Sequence, residues 1–245
     1  MSEGNKKKII SVVLPCYNPD VNWAVNIIIR YKQIRELLPH FVMELIIVND
    51  GSTKNISISL DYLKNQLPEC FVIDYKPNKG KGYAIRKGVE QATGDWIIYT
   101  DVDFPYTNDS FVDIANGLNI HDISIGTRGN SYYNNIPAHR AIISKLLRFF
   151  IKSLLRIPTN DTQGGLKGMR KHVKPIFLKT EINRYLFDLE FICLASKQKQ
   201  SFSLIPVVLS ETTVVRKMNL KVVSKEMLNF LRVYTKMMFT SWQTK

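Results

Sequence analysis

The chain has 245 residues, 45% of them hydrophobic, with 12 glycines and 10 prolines. That composition excludes a disordered chain and supports one large domain, or two small ones, with a real core. The net charge of +13 calls for an anionic partner (nucleic acid, a membrane surface or a phosphorylated substrate) unless it is only a solubilising excess. Cys16, Cys70 and Cys193 are far apart and odd in number. They suggest no disulfide framework and no CxxC metal site, and they point to a reducing compartment. The start, MSEGNKKKII, lacks the apolar run and cleavage site of a signal peptide. Every window of spanning length carries charge, so no transmembrane helix is expected.

Strand and helix signals alternate from residue 8. KIISVVLPCYN is a β-branched apolar run that Pro15 and Asn18 are expected to stop, and VNWAVNIIIRYKQIRELL has helical length and period. MELIIVNDGST is a second buried run. NISISLDYLKNQL predicts a helix, CFVIDY a strand, KGYAIRKGVEQAT a helix and DWIIYTDVD another strand. SFVDIANGL is helical and DISIGTR returns as a strand. Apolar strands alternating with amphipathic helices predict an α/β fold with a mainly parallel sheet covered on both faces. Ligands of such sheets bind beyond the carboxyl ends of the strands, and the polar pieces CYN, NDGS, DVD and GTR all fall there.

The second half changes character. HRAIISKLLRFFIKSLLRI predicts a long helix with Lys145, Arg148, Lys152 and Arg156 on one stripe. LKVVSKEMLNFLRVYTKMMFTSW repeats the pattern: Lys221, Lys225, Arg232 and Lys236 share a face, apolar Val222, Met227, Leu228, Leu231 and Met238 accompany them, and Trp242 follows. Basic amphipathic helices with a terminal aromatic suit an anionic membrane interface. Ordinary helices packed on the sheet with solvated basic faces account for the pattern equally well.

Three constellations carry chemistry. Asp101 and Asp103 end an apolar run; alternate residues of a strand share a side, so both carboxylates can address one point. Hard cations such as Mg²⁺ or Mn²⁺ bind through one or two carboxylates together with substrate phosphates. Asp50 either accepts from a nucleotide base or ribose or, with Ser52, caps the helix that follows. NKGKGYAIRKG, residues 78–88, is a basic glycine-rich loop that can hold anions through Lys79, Lys81 and backbone N–H groups. It lacks the spacing of a Walker A loop and does not match GxGxxG.

VVLPCYN, IIVNDGS, NKGKGYAIRKG and YTDVDF, in this order, resemble the nucleotide-sugar-binding half of the family 2 glycosyltransferases, which have the GT-A fold. GTR, then HR in a basic helix, then DTQGGLKGMRK and FDLEF look like the polyprenyl-phosphate branch, which includes dolichyl- and undecaprenyl-phosphate glycosyltransferases. The resemblance covers roughly residues 8–216, so residues 1–216 are expected to form the catalytic domain and 217–245 a basic, interfacial C-terminal helix. It implies that Pro15, Tyr17, Asn18 and Asp50 line the base and ribose, with Lys81 at the nucleotide end of the pocket. Asp101 would contact ribose or metal, and Asp103 the metal on the diphosphate. Asp161 and Gln163 would line the donor sugar, Asp188 and Glu190 the reaction centre, and Arg128 and Arg140 the acceptor phosphate. Arg128 and Arg140 are otherwise an ordinary surface pair, and Glu190 otherwise a structural ion pair.

The chain departs from the family pattern at Asn49, where an acid is frequent, and at Pro105, where some relatives offer a Gln to the metal. It also has Gly164 where relatives often carry Cys, a change expected to matter little. It ends at Lys245 where many relatives continue into transmembrane helices; this implies a peripheral member, or helices supplied by another chain or lying beyond this sequence. The resemblance implies inverting, metal-dependent transfer of a hexose, UDP-glucose favoured as donor, to a polyprenyl phosphate at the cytoplasmic face of a membrane. An ionised phosphate acceptor needs positioning and no general base. A saccharide-hydroxyl acceptor would need one, with Asp188 or Glu190 available. A nucleic-acid-binding protein is the remote rival, since zinc spacing, RNP-like aromatics and a recognition helix are all missing. A catalytically dead scaffold is disfavoured by the intact Asp101, Asp103 and DTQ.

Overall fold

The computed structural model describes residues 7–128, 157, 159, 161, 164–210 and 229–236. The first half runs β1 (Lys8–Cys16), α1 (Trp23–Leu37), β2 (Phe41–Asp50), α2 (Ser57–Gln66), β3 (Cys70–Tyr75), α3 (Lys81–Gln91), β4 (Trp96–Tyr99), α4 (Asn108–Gly117) and β5 (Ile123–Arg128). The second half supplies β6 (Lys167–Arg170), a 3₁₀ turn (Lys171–Val173), α5 (Lys174–Leu178), α6 (Phe187–Lys197) and β7 (Phe202–Val207). Residues 229–236 are helical. The long basic helix expected over HRAIISKLLRFFIKSLLRI lies almost wholly outside the described residues.

The strands form one seven-stranded sheet in the order β3-β2-β1-β4-β6-β5-β7. Every neighbouring pair is parallel except the two made by β6, which runs against both β4 and β5. Period-two alternation sorts the core. Val12 and Leu14 of β1, with Leu45 and Ile47 of β2, face a cluster built with Trp23, Ile27, Leu63 and Phe111. Val13, Ile46 and Val48 face the other side, against Ala84, Ile85 and Val89 of α3 and Phe187 and Phe191 of α6. Burial of both faces is why these strands read as unbroken apolar runs.

Two expectations change. Pro15 does not stop β1, which continues to Cys16 with Pro15 opposite Val48. The Val13 carbonyl accepts from Thr100 N–H at 3.3 Å, so Pro15, two residues on, turns its nitrogen to the same side, where β4 has already ended. The missing N–H therefore costs no ladder bond. Likewise β4 ends at Tyr99, and Asp101–Phe104 form a turn closed by Phe104 N–H donating to Asp101 O at 3.0 Å. Asp101 and Asp103 are thus brought to one rim by a turn and not by strand alternation.

In the C-terminal helical segment, Phe230 and Val233 enter the same cluster as Phe187 and Phe191, while Leu231 points outward at 51% exposure. No helix among the described residues is long and apolar enough to cross a membrane. The three cysteines are unpaired, and burial pushes each thiol up to about 12.

Gly88 lets α3 lie close on the sheet, because a Cβ there would collide with Val13 Cγ1 and come within 3.1 Å of Val48 Cγ2. Alanine would gain about 1 kcal/mol in helix propensity. Overpacking against two stiff β-branched side chains costs roughly 1–3 kcal/mol. Gly88→Ala is therefore expected to lower stability in urea unfolding by about 1 kcal/mol; a stabilised variant would show that the α3 contact yields.

Candidate active site

The parallel strands end on one rim, and β6 begins there. After β1, Asn18 takes a positive φ of 45° and its Oδ1 accepts from Thr53 N, Thr53 Oγ1 and Lys54 N at 2.9–3.2 Å. Asn18 N–H donates to Ser52 Oγ at 2.9 Å. The loops after β1 and β2 are thereby one unit, with Pro15 buried and Tyr17 exposed beside it.

Asp50 ties in the third loop. Its carboxylate accepts from Tyr75 Oη at 2.9 Å, Asn78 Nδ2 at 2.8 Å, Lys79 N–H at 2.7 Å and Gly80 N–H at 2.9 Å. It is buried, and both oxygens are occupied. Rather than capping the helix that follows, Asp50 shapes the basic loop that leads into α3. Gly51 permits the approach, since its φ is +67° and a Cβ would lie 2.5 Å from Asn78 N. Asn49 accepts from Ser52 N–H and donates from Nδ2 to Asp74 Oδ1 at 3.0 Å. An aspartate at 49 would set a carboxylate against Asp74, which accounts for this departure from the family pattern.

The centre is a mesh of alternating charge. Lys81, the first residue of α3, pairs with Asp101 Oδ1 at 2.5 Å. Burial works against the Lys81 ammonium, but the charge and hydrogen bond of Asp101, helped by Asp188, outweigh it and hold its pKa above the usual value. Lys167 on β6 is wholly buried, pairs with Asp188 Oδ2 at 3.0 Å and donates to the Gly164 carbonyl. Burial lowers its pKa, with Asp188 opposing. Tyr99 Oη donates to Asp188 Oδ1 at 2.6 Å; burial and then the Asp188 charge push this phenol far up, so it stays neutral. Tyr106 Oη accepts Gly165 N–H at 2.9 Å, and burial raises it to about 12.

Beyond β5, Arg128 Nε and Nη2 grip Asp161 Oδ1 at 3.0 and 2.6 Å, and Arg128 N–H donates to Oδ2 at 2.6 Å. Asp161 is buried and the Arg128 side chain is only 9% exposed, so Arg128 is not an ordinary surface residue. Two residues expected on different ligands are here one fork-shaped pair. Glu190 Oε2 accepts from Glu181 and Ile182 N–H at 2.8 and 2.9 Å, and Oε1 pairs with Lys236 at 3.2 Å.

Asp103 is exposed on the turn, and its carbonyl accepts from Asn26 Nδ2 at 3.3 Å. Asp101 and Asp103 offer hard oxygen donors. Gly165 keeps the approach to one of them clear, because a Cβ there would lie 2.7 Å from Asp101 Oδ2. That donor set fits Mg²⁺ or Mn²⁺. Pro105, where some relatives offer a Gln, has no side-chain donor for a metal; its carbonyl accepts from Ser210 N–H at 2.9 Å. Gly164 proves consequential: a Cβ there would collide with the Gly126 carbonyl oxygen, so a cysteine would force the backbone apart. Arg140 and Gln163 lie outside the described residues. Sequence reasoning missed Lys167, Tyr99, Tyr106 and Asn78. Lys167 had a signal, a lone cation in the small and apolar run GGLKGM.

Lys167→Met would strand the Asp188 carboxylate in the interior. The expected loss is about 3 kcal/mol in chemical denaturation, because a buried charge without its partner is the costly state. Adding Asp188→Leu should restore most of it; a double variant no more stable than the single would refute the pairing.

A family model described as Glycosyl transferase family 2 matches residues 11–176. The chain is similar to the dolichyl-phosphate beta-glucosyltransferase of Dictyostelium discoideum, 27% identical over 203 residues, which cover 77% of this chain and 62% of that protein. The Homo sapiens dolichyl-phosphate beta-glucosyltransferase is 29% identical over 205 residues, covering 77% and 63%. The chain thus spans less than two thirds of the length of these relatives. Among solved structures, glucosyl-3-phosphoglycerate synthase from Mycobacterium tuberculosis in complex with phosphoglyceric acid superposes with a TM-score of 0.67 at 17% identity, over 94% of this chain and 80% of that one. The same enzyme with Mn²⁺, UDP and glucosyl-3-phosphoglycerate gives 0.63 at 17% identity, again over 94% and 80%. The likeness is one of fold, the GT-A arrangement.

Proposed function

The chain belongs to glycosyl transferase family 2, and on that premise we propose that it transfers a hexose, glucose from UDP-glucose in first place, to a polyprenyl phosphate with inversion at the anomeric carbon. The observation that carries the reading is the engagement of Asp188 and Glu190. Each is buried and bonded to a lysine and to further donors. A hydroxyl acceptor needs a base to take its proton. A phosphate monoester is already ionised at neutral pH and needs only to be held. The similarity to dolichyl-phosphate beta-glucosyltransferases supports the same acceptor class.

In this reading the loops bearing Pro15, Tyr17 and Asn18, and the loop braced by Asp50, receive the nucleoside. Asp101 and Asp103 hold the divalent cation. The cation, when bound, offsets the charge that builds on the departing diphosphate. Lys81 adds a protonated ammonium beside Asp101. Asp161 and Gln163 take the donor sugar. Arg128, aimed by Asp161, works with Arg140 on the acceptor phosphate through directional hydrogen bonds. Asp188 and Glu190 support the reaction centre from below. The basic segments of the second half, including residues 217–245, rest on the anionic cytoplasmic face of a membrane, alone or beside a membrane-protein partner; within them Phe230 and Val233 enter the core and Lys236 turns to Glu181 and Glu190, so these three do not belong to that surface. No nucleic-acid partner is involved.

A transfer assay with labelled UDP-glucose, Mg²⁺ or Mn²⁺ and dolichyl or undecaprenyl phosphate in detergent tests this. The expected product is an acid-labile labelled lipid that EDTA abolishes. Labelling of a saccharide acceptor, with no lipid product from any nucleotide sugar, would overturn it. Asp103→Ala is expected to cut metal-dependent turnover about a thousandfold, roughly 4 kcal/mol of transition-state stabilisation, with unfolding unchanged. Full activity in that variant would remove Asp103 from the metal.

A further inference from the structure

Lys236 lies on the helical segment 229–236, far along the chain from the catalytic motifs. Its ammonium nevertheless stands 3.0 Å from Glu181 Oε2 and 3.2 Å from Glu190 Oε1. Two chains of contact lead from there into the candidate site. One runs along α6: Glu190 is in its first turn, two residues from Asp188, which holds Lys167 and Tyr99. The other runs through residues 181–183. The second oxygen of Glu190 holds the N–H groups of Glu181 and Ile182. The Asn183 carbonyl then accepts Gly82 N–H at 2.8 Å and Tyr83 N–H at 3.4 Å, in the first turn of α3. Arg86 of α3 returns to the Ile182 carbonyl at 2.7 Å and to Thr180 Oγ1 and Asn183 Oδ1. Lys81, which pairs with Asp101, opens that same turn.

Glycines show how tightly α3 is seated. A Cβ at Gly82 would lie 2.5 Å from the Ile182 carbonyl oxygen and 2.8 Å from Phe187 Cβ. A Cβ at Gly80 would collide with the Asn183 carbonyl. Segment 181–183 is therefore a wedge pressed between the starts of α3 and α6, held by Glu190 through its N–H groups and by Arg86 through the Ile182 carbonyl and the Asn183 side chain. Without Lys236, Glu190 would keep two backbone donors and the nearby charge of Arg86 but lose the ammonium paired with its Oε1.

We propose that Lys236 is a positioning residue: it docks the C-terminal helix through Glu190 and Glu181, and so sets the starts of α3 and α6, and with them Lys81 and Asp188. The proposal rests on the functional reading for its kinetic consequence alone; its structural consequence stands apart. Phe230 and Val233 supply the apolar part of the docking, and Lys236 supplies its register. Occupancy of the site would then depend on the C-terminal segment being in place.

The test uses the full chain and the variants Lys236→Met and Lys236→Arg. Amide hydrogen exchange should quicken about tenfold at Ile182, Gly82 and Tyr83 in Lys236→Met, with the β1–β2 ladder unchanged, and Lys236→Arg should restore protection. The KM for UDP-glucose should rise about tenfold in Lys236→Met and recover in Lys236→Arg, with KM for the lipid phosphate unmoved. A merely structural role would lower the amount of folded enzyme, and so apparent kcat, while leaving the donor KM alone. Unchanged exchange at Gly82 and Tyr83 in folded Lys236→Met would overturn the proposal. If that variant does not fold, Lys236→Gln is measured instead, with about threefold faster exchange expected at the same amides and no change again overturning it. A wild-type chain that transfers nothing to lipid phosphate would defeat the functional reading and leave the exchange result to decide this one.

Discussion

A carboxylate taken from water into a protein interior needs a cation or several donors to receive it. Among the described residues of this rim, Asp50 is received by donors alone, while the buried Asp161, Asp188 and Glu190 and the half-exposed Asp101 are paired with cations. Asp101 has Lys81, Asp161 has Arg128, Asp188 has Lys167 with Tyr99, and Glu190 has Lys236 with two backbone N–H groups. Each partner comes from a different element: α3, β5, β6 and the C-terminal helical segment. The rim is thereby tied by charge to all four of these elements. Lys167 is the extreme member, an ammonium with no exposure at all, reached because β6 runs backwards and brings its first residue to the end where its neighbours finish.

That reversal separates what the sequence shows from what it hides. Unbroken apolar runs such as Val12, Val13 and Leu14, alternating with amphipathic helices, and the polar residues at strand ends are local patterns, and they led to the α/β order and to the rim. The antiparallel β6 left no such mark. KGMR is four residues long, and its direction is set by pairing with Trp96–Tyr99 and Ile123–Ile125, which a local pattern cannot encode. Pro15 misled for the opposite reason: its local rule is sound, but the rule has no force where no neighbouring strand wants the N–H.

The same limit applied to the site. Asp101, Asp161, Asp188 and Glu190 were legible as chemistry-bearing types within motifs, yet who pairs with whom was not, because the partners are separated by 20 to 46 residues. Arg128 and Asp161 stood out separately, and only the fold joins them. Asn49 is the instructive case. Its departure from the acid seen in relatives becomes a requirement once Asp74 is found across the strand, 3.0 Å from its amide.

The bracing of residues 78–80 by Asp50 has one more consequence. A glycine-rich basic loop left loose in solution would have to surrender its backbone freedom on meeting a phosphate, at about 1–2 kcal/mol for each residue fixed. Here the loop is already rigid, through bonds to Asp50 from Asn78, Lys79 and Gly80. The entropy was given up when the chain folded. A ligand arriving at this end of the rim meets a finished surface, so its association should be rapid and its affinity should reflect contact and charge, with little subtracted for ordering the protein.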